Sequence, residues 1–171
     1  MSYYSHGFEG QISLLGVGKA KVLTYTVIFL PAELEAELPF KTYPRLRVEG
    51  EIAEVPVRGA WMPVGDGRRY FIIAPEVKKN SGYDVGDWVE MRFRIDDQEF
   101  VDVPAALASA IAADRGLSEK WNTLSAGKKR MSAIHVASAK TPPTQARRIE
   151  DVIAALTLGC TVRELKTKRK T

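Results

Sequence analysis

The sequence predicts a mainly β protein with helices at its C-terminal end: a small antiparallel β-barrel, closed or nearly closed, followed by a helical unit. Apolar residues recur at every second position through roughly the first hundred residues, which is the spacing of half-buried strands. After Val103-Pro104 the spacing lengthens to three or four residues, as in amphipathic helices. We therefore expect a β-barrel domain over residues 1–101 and a helical domain over residues 102–171.

The first predicted strands contain Phe8 and Ile12, which alternate with polar residues, and the run Val22–Leu30, whose two faces are both apolar or β-branched. β-branched and aromatic residues favour strands, and a run that is apolar on both faces is typical of a strand covered on two sides. Pro31 ends this strand and opens a short helix that Pro39 stops, since proline at the first helical position loses no hydrogen bond.

The remaining barrel segments follow the same alternation. Residues 46–52 form one strand, and 57–62 with Arg69–Ala74 form a hairpin around a Gly-Asp-Gly turn. An Asn-Ser-Gly turn signal favours a loop over Pro75–Asp84, and Trp88–Asp96 is the last strand. Six or so short strands with few intervening helices favour a barrel. A sandwich is the alternative, because strand count alone does not decide closure.

Prolines, glycines and capping hydroxyls mark the first helices of the C-terminal unit. Pro104 opens a helix that ends near Gly116 as its C-cap. Ser118 caps a short helix, and Ser125 caps the next, which runs to about Lys140.

The double proline Pro142-Pro143 breaks the helical pattern, because proline lacks a donor and restricts its predecessor. Thr144 then caps the last long helix, Gly159 ends it, and a capping box over residues 161–164 opens a final turn. The apolar stripe of the long helix contains Ile149, Val152, Ile153 and Leu156.

Positive charge is concentrated at the C-terminal end. The net charge is +4, yet residues 125–171 carry eleven Lys or Arg against three acidic residues. Such asymmetry predicts an anionic partner for that end, or serves solubility alone. We expect the last six residues, 166–171, to be a frayed tail.

Several classes of protein are disfavoured. The single cysteine, Cys160, excludes an internal disulfide and fits a reducing compartment. The N-terminus shows no secretory signal, and no run approaches the ~20 apolar residues that cross a bilayer. We therefore expect a soluble cytoplasmic protein that does not bind membranes.

No catalytic constellation emerges from the reactive residues. His6 lies in an expected disordered start, so only His135 could act as an ordered imidazole base, and a lone histidine on a helix is more often a packed or surface residue. Cys160 has no base beside it. No His, Cys or acidic cluster has metal-ligand spacing. We therefore expect no cofactor, no metal and no catalytic residue.

The strongest local hint of a binding site is the junction of two helices around the double proline. Residues 125–149 contain six basic side chains and no acidic one. Arg147 and Arg148 would lie in the first turn of the helix capped by Thr144, where backbone N–H groups and two guanidinium groups could converge on an anion. The predicted site consists of Lys140, Thr144, Arg147 and Arg148.

Two alternatives are open for this junction. Arg147 could instead pair with Glu49 or Asp96 of the barrel and hold the two parts together. The helices could also form a helix-turn-helix with Gln145 at the start of the second helix, although the double proline and the lack of a matching third helix weaken that hypothesis. An anionic small molecule or a nucleic acid, bound nonspecifically rather than by base sequence, is thus the predicted partner. The oligomeric state is not predicted.

A second predicted site lies on the hairpin and the loop after it. Outward arginines beside aromatic rings can bind a flat or anionic ligand, although such residues more often form a solvated face. The residues of this site are Arg58, Trp61, Arg68 and Lys79, with Tyr70 beside them.

Short motifs follow one another in the helical part: Ala139-Lys140, Pro143-Thr144-Gln145 and Arg147-Arg148-Ile149. With these motifs the helical part resembles the bacteriocin-protection family, also called YdeI or OmpD-associated proteins. Pro143 and Gln145 stand where the family has Glu and Arg, and His135 stands where an aromatic is expected. The barrel part resembles the domain of unknown function often fused in front of that helical unit. Its matching features are Pro63, Gly65, Gly67, Lys79, Gly82, Gly86-Asp87, Val89 and Val103-Pro104.

The resemblance implies a small β-barrel followed by helices, and a family name that reflects a protection phenotype rather than a known reaction. Together with the charge pattern, it favours a non-enzymatic protein that recognises an anionic ligand or macromolecule through the basic helix junction. The alternative is an enzyme or small-molecule carrier with a pocket between barrel and helices. A purely structural or stress-associated role is a third hypothesis.

Overall fold

The computed structural model describes residues 2–170, which divide into a sheet unit up to Gln98 and a helical unit from Glu99. The strands are β1 His6–Gln11, β2 Ser13–Val17, β3 Leu23–Phe29, β4 Leu46–Ile52, β5 Val55–Pro63, β6 Arg69–Ile72 and β7 Trp88–Ile95. The helices are α1 Ala32–Glu35, α2 Pro75–Ser81, α3 Ala105–Ala112, α4 Arg115–Thr123, α5 Ala126–Ala137, α6 Pro142–Leu158 and α7 Val162–Lys168. Within residues 2–170, no helix is long and apolar enough to cross a membrane.

The strands form one antiparallel sheet in the order β1-β7-β4-β5-β6-β3-β2. Only Ile12 separates β1 from β2 in the chain, yet these strands lie at opposite ends of the order, so the sheet is curled into a half-barrel. Ile12 donates its backbone N–H to the carbonyl of Asp87 and accepts from the N–H of Gly86.

The prediction of a closed barrel is wrong, and the sheet is open between β1 and β2. A β1–β2 ladder would need a hairpin turn, and the single residue between these strands is shorter than the two-residue loops that join hairpin strands. The sandwich alternative is also wrong, because the strands belong to one sheet.

The core of the sheet unit forms where the predicted alternation placed it. In β4, Leu46 and Val48 are fully buried, and in β7, Met91 and Phe93 are fully buried. Trp61 of β5 lies among them with no exposed surface. The alternation fails near the end of β7, where Ile95 is 41% exposed, and in β2, where Leu14 is 59% exposed.

Pro75–Ser81 form the helix α2 rather than the predicted loop. Pro75 occupies the first helical turn, and Gly82 closes the helix with a φ of 78°, a left-handed conformation that glycine adopts without a Cβ clash. The buried side chain of Val77 anchors the helix to the sheet core. The Asn-Ser-Gly signal therefore marks a helix end.

The helices α3 to α7 enclose a second core around Leu107, Val136 and Val152, each at most 1% exposed. The boundary between α3 and α4 differs from its prediction. Asp114, rather than Ser118, caps α4 by accepting from the N–H of Leu117, so Gly116 lies inside α4 and not at the end of α3. The hydroxyl of Ser118 donates instead to a carbonyl of α3.

The ends of the last three helices agree more closely with the sequence. Ser125 caps α5, Gly159 ends α6 in a left-handed conformation, and Thr161 forms the predicted capping box with Glu164. α5 ends at Ala137, about one turn before the predicted end.

Candidate functional site

At the junction between α5 and α6, helix α6 begins three residues earlier than the sequence predicted. Thr141 caps α6, because its side chain accepts from the N–H of Thr144, and Pro142 is the first helical residue. Thr144 therefore lies inside the first turn and does not cap the helix. Arg147 is the sixth residue of α6, beyond the first turn where free backbone N–H groups bind anions. The predicted convergence of N–H groups and guanidinium groups is absent.

The predicted binding residues of this junction have separate surroundings. The Nη1 atom of Arg148 donates to the carbonyl of His135 at 2.9 Å and to the hydroxyl of Ser138 at 2.7 Å. It thereby satisfies a carbonyl at the C-terminal end of α5, which a helix leaves without a partner. Lys140 and Arg147 are exposed. Arg148 thus holds α5 against α6.

The acids proposed as alternative partners of Arg147 have arginine partners within the sheet unit. Glu49 pairs with Arg94, and Asp96 pairs with Arg58 at 2.7 Å.

The predicted site on the hairpin is not assembled as expected. Trp61 has no exposed surface and Tyr70 is 4% exposed, so neither ring can stack on a ligand at the surface. Arg58 lies against Asp96 of its own unit. Arg68 pairs with Asp66 and covers the ring of Phe29. Lys79 is exposed on α2.

The helical unit contains a cavity of about 590 Å³ between α5, α6 and α7. The floor comes from α6 through Val152, Ala155 and Leu156, and Cys160 borders it after the helix end. One wall is a stripe of α5 that contains Lys128, Met131, Ser132 and His135. A second wall is formed by Arg163, Lys166 and Thr167 of α7 and by Lys170, which lies two residues after the end of this helix.

Local sequence signals set the position of α7. Gly159 turns the chain with a φ of 66°, and the Thr161–Glu164 capping box starts the next helix two residues later. The buried side chain of Leu165 anchors α7 to the helical core. The residues from Lys166 to Lys170 were expected to fray, yet α7 continues to Lys168, and Arg169 pairs with Asp151 at 2.8 Å. The remaining residue of the predicted tail, Thr171, lies outside the described residues.

The rim of the cavity is positive. Lys128, Arg163, Lys166 and Lys170 line it, and no acidic side chain of residues 2–170 forms an ion pair with any of the four. The nearby carboxylate of Glu164 is already hydrogen-bonded in the capping box of α7. These cations are therefore available to an external anion.

Below the rim, His135 lies beside the carboxylate of Asp151. Burial lowers the pKa of His135 below its ordinary value, and the positive charge of Lys166 lowers it further. The Nε2 atom of His135 is 3.5 Å from Oδ2 of Asp151, too far for a strong hydrogen bond, so the carboxylate offsets only part of this effect. His135 is therefore neutral at neutral pH.

Asp151 is a buried carboxylate, 7% exposed as a residue. Burial alone would raise its pKa, but the hydrogen bond from Arg169, the contact with His135 and the charge of Lys166 hold its pKa below the ordinary value. Asp151 is therefore ionised at neutral pH and matched by Arg169. The inner part of the cavity is close to electrically neutral, while its rim is positive.

We expect an NMR titration to give the imidazole of His135 a pKa below the ordinary value of about 6.5. The chain has two histidines, so the resonance missing from His135→Gln identifies the site. Lys166→Gln should raise the pKa of His135, because it removes a nearby positive charge. Lys140→Gln is the matched control and should leave it unchanged.

The same shift links His135 to stability. Because its pKa is lower in the folded state, the unfolded chain takes up the proton first as the pH falls. The contribution of His135 to stability is thus complete above about pH 6.5 and is lost as the pH falls towards the pKa of the folded state. A pKa at or above the ordinary value would contradict the burial of this side chain.

Sequence reasoning missed the rim residues, although two signals point to them. The excess of positive charge after residue 125 predicted an anionic partner at this end of the chain. Lys128 and His135 lie seven residues apart in α5, and Arg163 and Lys166 lie three residues apart in α7. These spacings place each pair on one helix face. Nothing local in the sequence shows that the two faces oppose each other.

The fold and the cavity define a two-unit protein in which a curled antiparallel sheet precedes a helical unit with a basic, apolar-floored cavity. Residues 101–159 match the model of the family described as bacteriocin-protection, YdeI or OmpD-associated. Residues 12–93 match the model of a domain of unknown function, DUF1905. The DUF1905 match thus precedes the YdeI/OmpD-associated match, in the order that the sequence resemblance gave, and the two matches confirm that resemblance. No curated protein matches the chain.

Proposed function

We propose that the protein is a non-enzymatic binding protein for an anionic ligand, which sits in the cavity between α5, α6 and α7. The observation that carries this proposal is the set of four rim cations that form no ion pair with an acidic side chain of residues 2–170. Like charges held close together repel one another and destabilise the fold, so a bound anion gives the cluster a function.

The arginines of the sheet unit provide a contrast. Five of them pair with carboxylates of the same unit: Arg58 with Asp96, Arg68 with Asp66, Arg69 with Glu35, Arg92 with Glu51 and Arg94 with Glu49. These five arginines are thus neutralised within the fold, whereas Lys128, Arg163, Lys166 and Lys170 form no ion pair with an acidic side chain of residues 2–170. This difference favours the helical unit as the anion-binding part.

The cavity also supports the proposal better than the helix junction does. Arg148 is engaged in holding α5, and Lys140 and Arg147 do not line the cavity.

The test compares two double variants that remove the same charge. Lys128→Gln with Lys166→Gln changes the rim, and Lys140→Gln with Arg147→Gln changes the junction. Each lowers the net charge from +4 to +2. The probes are inorganic pyrophosphate, dansyl-undecanoate and a fluorescein-labelled single-stranded oligonucleotide, each titrated at low and high salt. We expect the rim variant to bind at least one probe roughly tenfold more weakly, since an exposed ion pair contributes up to about 1 kcal/mol.

The junction variant should stay within about twofold of the unchanged protein, since its loss of long-range charge attraction is equal but no cavity contact is lost. A larger loss in the junction variant would return the site to Lys140 and Arg147. If none of the three probes binds the unchanged protein at low salt, the proposed function is wrong.

A further inference from the structure

We propose that the ligand is a free amphipathic anion, a small molecule with one anionic head and an alkyl or aryl tail, rather than a polyanion. The inference deepens the proposed function and rests on it. It follows from where the charged and apolar parts of the cavity lie.

The floor of the cavity suits a tail. Val152, Ala155 and Leu156 are the inward side chains of α6, and they are buried in the helical core or directly beside it. Asp151 on the same helix is matched by Arg169, so the interior offers no unmatched charge to a polar group. Around this floor, the 60% exposed Met131 and the half-buried Leu124 and Val162 supply apolar surface that an apolar ligand group can cover.

The mouth of the cavity suits a single head group. Lys128 comes from α5 and Lys166 from α7, so two different helices supply cations to the cavity. Lysine can lay its methylene stem along apolar surface and keep its ammonium group in water. An anion at the opening would thus meet cations from both walls while its tail lies on the floor.

The size of the cavity limits the class of ligand. A volume of about 590 Å³ falls in the range of about 300–1,000 Å³ typical of small-molecule sites. A nucleic acid would satisfy the rim but would leave the exposed apolar side chain of Met131 uncovered. Met131, at the cavity wall, is 60% exposed, and a flexible methionine of this kind can adapt to varied apolar ligands.

The test is a calorimetric series of octanoate, decanoate and dodecanoate, each below its micelle concentration. We expect affinity to rise about fourfold for each methylene, the ratio that corresponds to ~0.8 kcal/mol for a buried CH₂. Decan-1-ol and decyltrimethylammonium should bind at least tenfold more weakly than decanoate, because they lack the negative head. Dodecyl sulfate and dodecyl phosphate then distinguish which anionic head fits best.

A matched pair of variants locates the tail. Met131 and Ile134 lie on the same helix and are 60% and 65% exposed, but only Met131 lines the cavity. Met131→Asp should weaken decanoate binding at least tenfold, whereas Ile134→Asp should leave it within about twofold. Both side chains are largely exposed, so both variants should fold, as circular dichroism will show.

The failure of this inference is distinct from failure of the proposed function. If inorganic pyrophosphate or the oligonucleotide binds with the expected dependence on Lys128 and Lys166, while affinity is independent of chain length, the site takes anions without a tail and the inference alone is wrong. Binding to vesicles of anionic phospholipid without binding of monomeric decanoate would also overturn it. If no anion binds, both proposals are wrong.

Discussion

Trp61→Ala should lower the free energy of unfolding of the sheet unit by about 3–5 kcal/mol, the range for removing a large aromatic side chain from a core. Trp61 has no exposed surface. Its ring lies 5.6 Å from the rings of Phe71 and Phe93 in edge-on arrangements and 6.1 Å from the ring of Phe8. The substitution removes all three ring contacts and leaves a cavity. The surrounding strands cannot move in to fill it without breaking the hydrogen bonds that pair them with their neighbours.

The measurement is hydrogen exchange of the β4 and β7 amides, whose slowest rates report the opening of the sheet. Trp88→Ala is the matched control, because Trp88 is 65% exposed and should cost less than about 1 kcal/mol. Trp61→Phe should cost less than Trp61→Ala, since it keeps a ring and removes a buried N–H that has no hydrogen-bond partner among residues 2–170. Equal exchange in Trp61→Ala and Trp88→Ala would contradict the central position of Trp61.

Local patterns in the sequence predicted most of the elements but not the closure of the sheet. Alternation identified β4 and β7, because one face of each strand is buried and side chains alternate across a strand. Whether the two edge strands pair is a long-range property. Here it depends on the single residue Ile12 between β1 and β2, and a count of strands carries no information about it.

Two helix boundaries were misplaced because competing signals lay close together. Pro75 and Gly82 are correct start and stop signals for α2, but the Asn-Ser-Gly run is equally typical of a turn. At the start of α6, Thr141 and Thr144 are both capping residues. Pro142 settles the choice, because proline prefers the first helical position and thus makes Thr141 the cap.

The sequence indicated that the C-terminal end of the chain is basic, but it did not indicate where the cavity lies. The basic excess belongs largely to side chains of α5 and α7, whose pairing depends on a turn at Gly159 and on the packing of Leu165. The residues of the predicted basic junction lie closer to one another in the sequence. Arg148 of that junction, however, donates to the carbonyl of His135 and so holds α5. The placement of residues as distant in sequence as Lys128 and Lys166 around one cavity leaves no local pattern.

Gly50→Ala should cost at least about 3 kcal/mol, at or beyond the upper end of the usual range for adding a methyl group to a packed core. Gly50 is the position in β4 where β7 approaches most closely, opposite Phe93. A Cβ at this position would lie 2.1 Å from the carbonyl oxygen of Arg92 and 2.8 Å from the Cα of Phe93. These are backbone atoms of the neighbouring strand, so no side-chain rotation can relieve the clash, and β4 and β7 must separate.

Gly65→Ala is the matched control for the same chemical change. A Cβ at Gly65 would meet nothing within 4 Å, and its φ lies outside the left-handed region. The control should therefore be neutral, or stabilising by up to about 1 kcal/mol through the entropy of the unfolded chain. Urea titrations followed by circular dichroism compare the two variants. If Gly50→Ala unfolds at the same urea concentration as Gly65→Ala, β4 and β7 are not paired in the register that places Gly50 against Phe93.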